Sequence, residues 1–342
     1  MSDFERLERL GVGNFGEVWL ARDHALGVKR AVKFVMPSRI VDPTEFYKEP
    51  QILMALRHEN IVRVEDAGIY GNGALYISME YLPRGSVDSA FKGRPLPLSQ
   101  TLRLLRDVCW GLEFAHERGY IHRDIKPGNI LIGKNGVGKL SDFGLATRVP
   151  RGSTASPYGY LTHVAPEVFL KGETSAISDI YALGVTAYRM LNGDGFLPYV
   201  ADLGELQDLI LDGKYPDRTH YRPYIPPNLK RIINKCMSIS PNDRYRSSSE
   251  FRRQLERIVP RCDWRWSTRK RGVTYRTVIG KAEYVVRIDE TVPRRFDIET
   301  KKRVSKASDW RRVKSDCSRN LPTSQLKRRI RQILSRYVLN GK

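Results

Sequence analysis

The chain has 342 residues, of which 41% are hydrophobic and 28% charged, as in a globular protein with one large domain or two to three ordinary ones. No apolar run approaches the ~20 residues that cross a bilayer, and the charged N-terminus lacks a signal region, so we expect a cytoplasmic protein without a membrane span. The net charge is +21, and residues 261–342 hold 24 of the 59 basic but only 8 of the 38 acidic residues. This imbalance indicates a polyanionic partner for that segment.

The first 80 residues or so are predicted to be rich in β-strands. Gly11, Gly13 and Gly16 fall between two strand-like stretches, and glycines let backbone amides approach phosphate groups closely. Because a strand and not a helix follows Gly16, the pattern favours a β-hairpin over a nucleotide. Lys33 lies on the next strand and Glu49 on the helix after it, where the two could pair. Taken alone, Lys33 would more commonly be a solvated edge residue.

Beyond residue 95 the pattern becomes helical. A helix is expected over residues 98–119, with Ser99 placed to cap its start. The stretch 178–193 is largely apolar and is therefore predicted to be a buried helix that ends at Gly193. Two amphipathic helices are expected over residues 226–239 and 247–259.

Two short stretches in this helical part carry chemistry. IHRDIKPGNIL, residues 121–131, is followed by DFG at 142–144, and four polar residues stand there in loops between apolar segments: Asp124, Lys126, Asn129 and Asp142. Phosphoryl transfer needs these types, namely a carboxylate for the attacking hydroxyl, a lysine for the γ-phosphate and oxygen ligands for Mg²⁺. The order and spacing therefore point to a phosphotransferase.

Over residues 5–260 the sequence resembles the eukaryotic-type (Hanks-type) protein Ser/Thr kinases. GVGNFGEV, AVK, HRDIKPGN, DFG and APE stand in the family's order. The resemblance implies an α+β, two-lobed kinase fold with an N-lobe over 1–82 and a C-lobe over 83–260. It implies transfer of the γ-phosphate of ATP, with Mg²⁺, to protein hydroxyls. Lysine two residues after the catalytic aspartate, here Lys126, is typical of kinases directed at Ser and Thr.

The resemblance also assigns individual roles. It implies that Asp124 orients the acceptor hydroxyl, that Lys126 neutralises the γ-phosphate and that Lys33, paired with Glu49, holds the α- and β-phosphates. Asn129 and Asp142 are the expected Mg²⁺ ligands. The expected ATP site comprises Gly11, Val12, Gly13, Asn14, Phe15, Gly16, Val18, Ala31, Lys33, Met79, Glu80, Leu82 and Leu131, although Val18, Ala31 and Leu131 could equally be core. Asp179 is expected to brace the catalytic loop, and Arg244 to pair with Glu167.

The segment GYLTHVAPE, residues 159–167, departs from the family. Tyr160 and His163 stand where the family has a threonine and a tyrosine or tryptophan. Thr162 could replace that threonine, the loop could assemble only with substrate or phosphate, or the change could be without consequence. In the family, an arginine at the position of Arg123 pairs with a phosphate on this segment, so the resemblance implies that the segment is phosphorylated. The candidate acceptors for autophosphorylation are Ser153, Thr154, Ser156, Tyr158 and Thr162.

The basic segment 261–342 lies outside the resemblance. Alternating residues on both sides of Gly280-Lys281 predict a β-hairpin, and apolar spacing from Leu326 to Tyr337 predicts a helix between Pro322 and Gly341. The segment could bind nucleic acid with Trp264 and Trp266 stacking on bases, or dock on an acidic protein. An anionic membrane surface is least favoured, because the helix has a narrow apolar face. Alternatively, hairpin and helix pack on the kinase body with solvated charges.

A different class of function is a catalytically weak pseudokinase that serves as a nucleic-acid- or protein-binding adaptor. Retention of Lys33, Asp124, Asn129 and Asp142 argues against it, because each group has a task in phosphoryl transfer.

Overall fold

The structure is a computed structural model, and it describes residues 4–13, 16–35, 50–71, 73–143, 147–148, 161–305 and 307–341. Its first part is one antiparallel sheet with the strand order β1-β2-β3-β5-β4. The strands are β1 (Phe4–Gly13), β2 (Gly16–Asp23), β3 (Val28–Val35), β4 (Val64–Tyr70) and β5 (Ala74–Glu80). Residues 50–55 form the described part of helix α1.

The turn between β1 and β2 needs a glycine at its end. Gly13 pairs with Gly16, whose φ of 149° lies in the region that L-residues avoid. A Cβ at Gly16 would collide with the carbonyl oxygen of Phe34 on β3. The close approach of β2 to β3 at this point therefore requires a residue without a side chain at position 16.

The second part is mainly helical. Its helices are α2 (Val87–Phe91), α3 (Leu98–Glu117), α4 (Pro166–Lys171), α5 (Ala176–Asn192), α6 (Leu203–Leu211), α7 (Pro227–Cys236) and α8 (Ser248–Glu256). Four short strands, β6 (Tyr120–Ile121), β7 (Ile130–Ile132), β8 (Gly138–Leu140) and β9 (Thr147–Arg148), pair as β6 with β9 and β7 with β8. Helix α5 begins with a capping box of Ser175 and Ser178 and is buried along almost its whole length, as its apolar sequence predicted.

The expected capping role of Ser99 is wrong. Helix α3 begins at Leu98 after Pro97, and the side chain of Pro97 has no hydrogen-bonding group that could cap the helix. The backbone N–H of Ser99 instead donates to Oδ1 of Asp263, 2.8 Å away, and its hydroxyl bonds to the same carboxylate. The acceptor for this helix start therefore comes from the C-terminal segment, 164 residues later in the chain.

The C-terminal segment, which we call the extension (residues 261–342), is larger than a hairpin and a helix. It contains β10 (Arg265–Arg269), β11 (Gly272–Ile279), β12 (Ala282–Val292), β13 (Arg295–Arg303), β14 (Arg311–Arg312), β15 (Ser318–Pro322) and α9 (Thr323–Asn340). The predicted hairpin, β11–β12, and the predicted helix are confirmed. The other strands escaped prediction because polar and charged residues together dominate them; all five residues of β10 are exposed.

The extension packs on the second part through a shared core. Its sheet has the order β10-β11-β12-β13-β14, with β15 also paired to β13. Trp264, Tyr275 and Ile333 belong to the same buried cluster as Leu229 of α7. Burial of Trp264, whose Nε1 donates to the carbonyl of Leu334, excludes its expected stacking on bases. The packing of hairpin and helix on the kinase-like body is thus confirmed.

Within the described ranges, no helix combines the length and the apolar character that crossing a membrane requires. Cys109, Cys236, Cys262 and Cys317 are free thiols.

Candidate active site

The loop between β6 and β7 brings three of the predicted polar side chains together. Nζ of Lys126 lies 2.7 Å from Oδ2 of Asp124, and Nδ2 of Asn129 donates to the same oxygen at 2.8 Å. The other oxygen of Asp124, Oδ1, is buried and has no hydrogen-bond partner among the described residues. A buried, unsatisfied carboxylate oxygen is costly for the folded protein. Asp124 thus retains an acceptor for the hydroxyl proton of a substrate.

Asp179, on α5, stabilises this loop through hydrogen bonds to its backbone. Its two carboxylate oxygens accept the backbone N–H groups of His122 and Arg123, each at 2.8 Å, and Arg123 has a left-handed φ of 69°. Burial opposes ionisation of Asp179, but hydrogen bonds from His116 and His122 outweigh it and lower the pKa of the carboxyl below its usual 3.8. The carboxylate stays ionised and fixes an otherwise unfavourable turn.

Asp142 and Lys33 face each other across the cleft between the first sheet and the helical part. Nζ of Lys33 is 3.8 Å from Oδ1 of Asp142. Lys33 is buried on β3, whereas about half of the Asp142 side chain is exposed. The backbone of Asp142 has a left-handed φ of 61°. The predicted partner Glu49 lies outside the described residues.

The apolar residues expected around adenine lie at the same cleft. Val18 pairs with Lys33, and Ala31 with Met79, across β2, β3 and β5. The six residues expected around adenine are all half-buried: Val18, Ala31, Met79, Glu80, Leu82 and Leu131. Oε1 of Glu80 accepts from Nζ of Lys139 at 2.8 Å and from the backbone N–H of Arg63 at 2.9 Å, and the backbone N–H of Glu80 donates to the carbonyl of Arg63. In the glycine-rich stretch, Gly11, Val12 and Gly13 form the end of β1 and Gly16 is the first residue of β2. Asn14 and Phe15 lie outside the described residues.

Only the end of the GYLTHVAPE segment is described. Oγ1 of Thr162 lies 2.9 Å from Nδ1 of His163. Burial, reinforced by Arg189 and Lys126, holds the pKa of His163 well below its usual 6.5. The other candidate acceptors, Ser153, Thr154, Ser156 and Tyr158, lie outside the described residues.

Glu167, the last residue of this segment, forms a bidentate ion pair with Arg244. Nη1 and Nη2 of Arg244 donate to the two oxygens of Glu167 at 2.7 and 2.6 Å. The guanidinium also donates to the carbonyls of Ser238 and Ile239. Such full satisfaction is what a buried arginine requires, and it ties the start of α4 to the loop after α7.

Two histidines of the site were not predicted. Nε2 of His116 lies 2.8 Å from Asp179, and Nε2 of His122 lies 3.1 Å from the carbonyl oxygen of Ser141 while its ring packs on Phe143. His122 belongs to the quoted HRD motif, which would have signalled it. His116 precedes Asp179 by 63 residues on another helix, so no local spacing reveals the contact.

The donor set fits a magnesium ion. Mg²⁺ is typically held by one or two protein oxygen ligands together with substrate phosphates. Asn129 uses its Nδ2 to bind Asp124, which leaves its amide oxygen for a cation, and Asp142 presents a partly exposed carboxylate. Among the described residues no group of three or more His, Cys, Asp or Glu side chains forms a closed metal site. The residues present thus suit an ion that arrives with phosphates.

Comparison with known proteins agrees with this geometry. The sequence pattern described as the protein kinase domain matches residues 4–254. The chain is 35% identical over 271 residues to the serine/threonine-protein kinase PknB of Mycolicibacterium smegmatis, covering 75% of this chain and 43% of that protein. It is 36% identical over 259 residues to PknA of Mycobacterium tuberculosis, covering 72% of this chain and 59% of the relative. The match thus spans less than two thirds of either relative.

Proposed function

Because this chain belongs to the protein kinase family, we propose that it transfers the γ-phosphoryl group of ATP to serine or threonine hydroxyls of proteins. The observation that carries the proposal is Asp124, whose Oδ2 is held by Lys126 and Asn129 while its Oδ1 is left without a partner in the described structure. Oδ1 would accept the hydroxyl proton as the oxygen attacks the γ-phosphorus and the ADP oxygen leaves. The pseudokinase alternative is not favoured.

The remaining groups would act on the phosphates. Lys33 would bind the α- and β-phosphates, and Lys126 the transferred group, so that charge on the equatorial oxygens is offset in the transition state. Asn129 and Asp142 would hold Mg²⁺, which supplies additional charge neutralisation when bound. Lys126 also supports Ser/Thr specificity, through the family resemblance.

The decisive variant is Asp124→Asn. It keeps the size and the bond to Lys126 or Asn129 but removes the proton acceptor, so we expect phosphate transfer to fall by about 10²–10⁴-fold with nucleotide affinity little changed. The measurement is transfer from labelled ATP to a generic basic protein, together with ATP binding by calorimetry. Asp212→Asn, which replaces an exposed acid paired with Lys214, is the control and should keep full activity. Near wild-type transfer by Asp124→Asn would contradict the assignment.

Autophosphorylation of the segment around residues 153–162 is part of the proposal. It is supported by Arg123, which is positioned by Asp179, and by the hydroxyl-rich sequence. Mass spectrometry after incubation with MgATP tests it. Full activity without phosphate on any of these residues would reject it.

We also propose that the extension recruits an anionic partner, either an acidic protein or nucleic acid. Lys327, Arg328 and Arg331 lie exposed on α9. Nucleic acid bound through phosphates would lose affinity steeply between 50 and 200 mM salt, which an anisotropy titration with a single-stranded oligonucleotide measures. An affinity that does not depend on salt rejects phosphate contacts.

A further inference from the structure

The outer face of the extension sheet contains a cavity of about 150 Å³. We call it the outer-face cavity, and its lining residues are Arg276, Val285, Arg287, Glu299, Lys301 and Trp310. It lies beyond residue 254, where the protein kinase match ends. Neither the family match nor the proposed phosphate transfer accounts for it.

Strand register places the three cations of the cavity around one apolar residue. Arg276, Val285 and Lys301 are direct partners across β11, β12 and β13. Neighbouring strands are about 4.8 Å apart, so the first and third backbones are separated by about 10 Å, with Val285 between them. Arg287 follows Val285 by two residues and therefore projects from the same face. The cations thus surround a floor formed by Val285, which is 5% exposed.

The charges of the cavity are incompletely balanced. The side chain of Arg287 is exposed and makes no ion pair or hydrogen bond with the described residues. Arg276 is 3.7 Å from Glu283 with half of its side chain exposed, and Lys301 is 3.1 Å from Glu299. The three cations and the one carboxylate that line the cavity leave a formal charge of +2 for the lining itself, and Glu283, outside the lining, pairs with both Arg276 and Arg303.

An aromatic wall completes the cavity. Trp310 directly precedes β14, which pairs with β13 at Lys301 and Lys302. The guanidinium of Arg303 packs on its ring, with Cζ 4.7 Å from the centroid. An indole held in this way excludes water beside the cations and strengthens their attraction for an anion.

We propose that the outer-face cavity binds a phosphorylated serine or threonine side chain of a protein segment. A phosphomonoester carries a charge of about −1.5 to −2 at pH 7, which matches the net charge of the lining. Guanidinium groups bind phosphate oxygens in a bidentate manner, and two arginines are available here. The hydrocarbon part of the phosphorylated residue would pack on Val285 and Trp310.

The surroundings of the cavity favour this ligand over nucleic acid. Strand alternation places Glu283, Asp289 and Asp297 on the same outer face as the cavity. A phosphodiester chain that crosses the sheet would meet these carboxylates on both sides of the cations. A single phosphomonoester concentrates its charge between the cations and has no further phosphates to pass Asp289 and Asp297.

The test is fluorescence anisotropy with the full chain and a degenerate peptide pool that carries one central phosphothreonine. We expect the phosphorylated pool to bind at least tenfold more tightly than the same pool without phosphate. Arg287→Gln and Arg276→Gln should each weaken binding by about tenfold or more, since each removes charge-assisted hydrogen bonds. Arg265→Gln is the matched control: Arg265 pairs with Arg276 in the same row, is exposed, and does not line the cavity.

Several results would overturn the proposal. They are equal binding of the two pools, an equal loss in Arg265→Gln, or displacement of the peptide by equimolar inorganic phosphate. Binding of a single-stranded oligonucleotide that needs Arg276 and Arg287, without phosphopeptide binding, would assign the cavity to nucleic acid instead. Because the peptides are phosphorylated chemically, the outcome does not depend on transfer by this chain. The three variants should retain the phosphate transfer of the unaltered protein, which shows that they fold.

Discussion

His163 is a buried, neutral imidazole in the segment where the sequence departs from its family. The hydrogen bond between His163 and Thr162 does not require the second ring proton of an imidazolium. Burial disfavours that proton, and so do the nearby cations Arg189 and Lys126. The pKa of His163 in the folded protein is therefore lower than in the unfolded chain, where it is close to 6.5. Its contribution to the free energy of unfolding is complete above pH 6.5 and is lost as the pH falls below that value.

We therefore expect His163→Phe to reduce the acid sensitivity of the protein. Between pH 7.5 and 5.5 the urea midpoint of the unaltered protein should fall further than that of the variant, because only the former gains a proton at this site on unfolding. Thr162→Val, which keeps the imidazole, should preserve the larger fall. Equal falls in the unaltered protein and in His163→Phe would contradict the expectation.

At the scale of single residues, much of the catalytic loop was predictable. Asp124, Lys126 and Asn129 lie within six positions, and a short loop brings such residues together in any compact fold. The role of His116 was not predictable, because its contact with Asp179 depends on how α3 packs against α5.

Among the elements, α3 shows how the extension acts on the helical part. The first N–H groups of a helix need acceptors, and the side chain of Pro97 supplies none. The Asp263 carboxylate accepts from Ser99 at this end, where it also interacts favourably with the helix dipole. An element of the kinase domain is thus completed by a residue outside the family match, which ends at 254.

Asp263→Ala should destabilise the protein by about 1 kcal/mol, the usual effect of losing a capping carboxylate. Asp263→Asn should retain most of this stability, since the amide oxygen still accepts from Ser99, and the difference between the unaltered protein and Asp263→Asn should shrink in high salt. The measurement is the free energy of urea unfolding. Asp309→Ala, an exposed acid elsewhere in the extension, should have no effect; a loss as large as that in Asp263→Ala would contradict the capping role.

Across the whole molecule, the helical part and the extension share one buried cluster. Trp264 is buried against Tyr275 and Tyr337, with ring centroids 6.4 and 5.8 Å apart, and Tyr275 in turn contacts Tyr224 ahead of α7. A continuous core of this kind predicts that both parts unfold together.

Trp264→Phe and Trp264→Ala test this continuity. We expect the alanine variant to lose about 3–5 kcal/mol and the phenylalanine variant less, because a smaller cavity remains. Scanning calorimetry should show one transition for the helical part and the extension, moved to lower temperature in both variants. A separate extension transition that alone responds to the substitution would show that the two cores are independent.

By itself the sequence determined the family resemblance and the order of a strand-rich and a helical part, because these follow from local motifs and local spacing; the groups that would bind ATP remain a prediction from that resemblance. It also indicated a basic extension with a hairpin and a helix. Only the tertiary structure decided that Trp264 is core, that Asp263 completes α3 and that Arg276, Arg287 and Lys301 surround one cavity. These contacts join positions on different strands and helices, and they depend on strand register and packing, which local spacing does not specify.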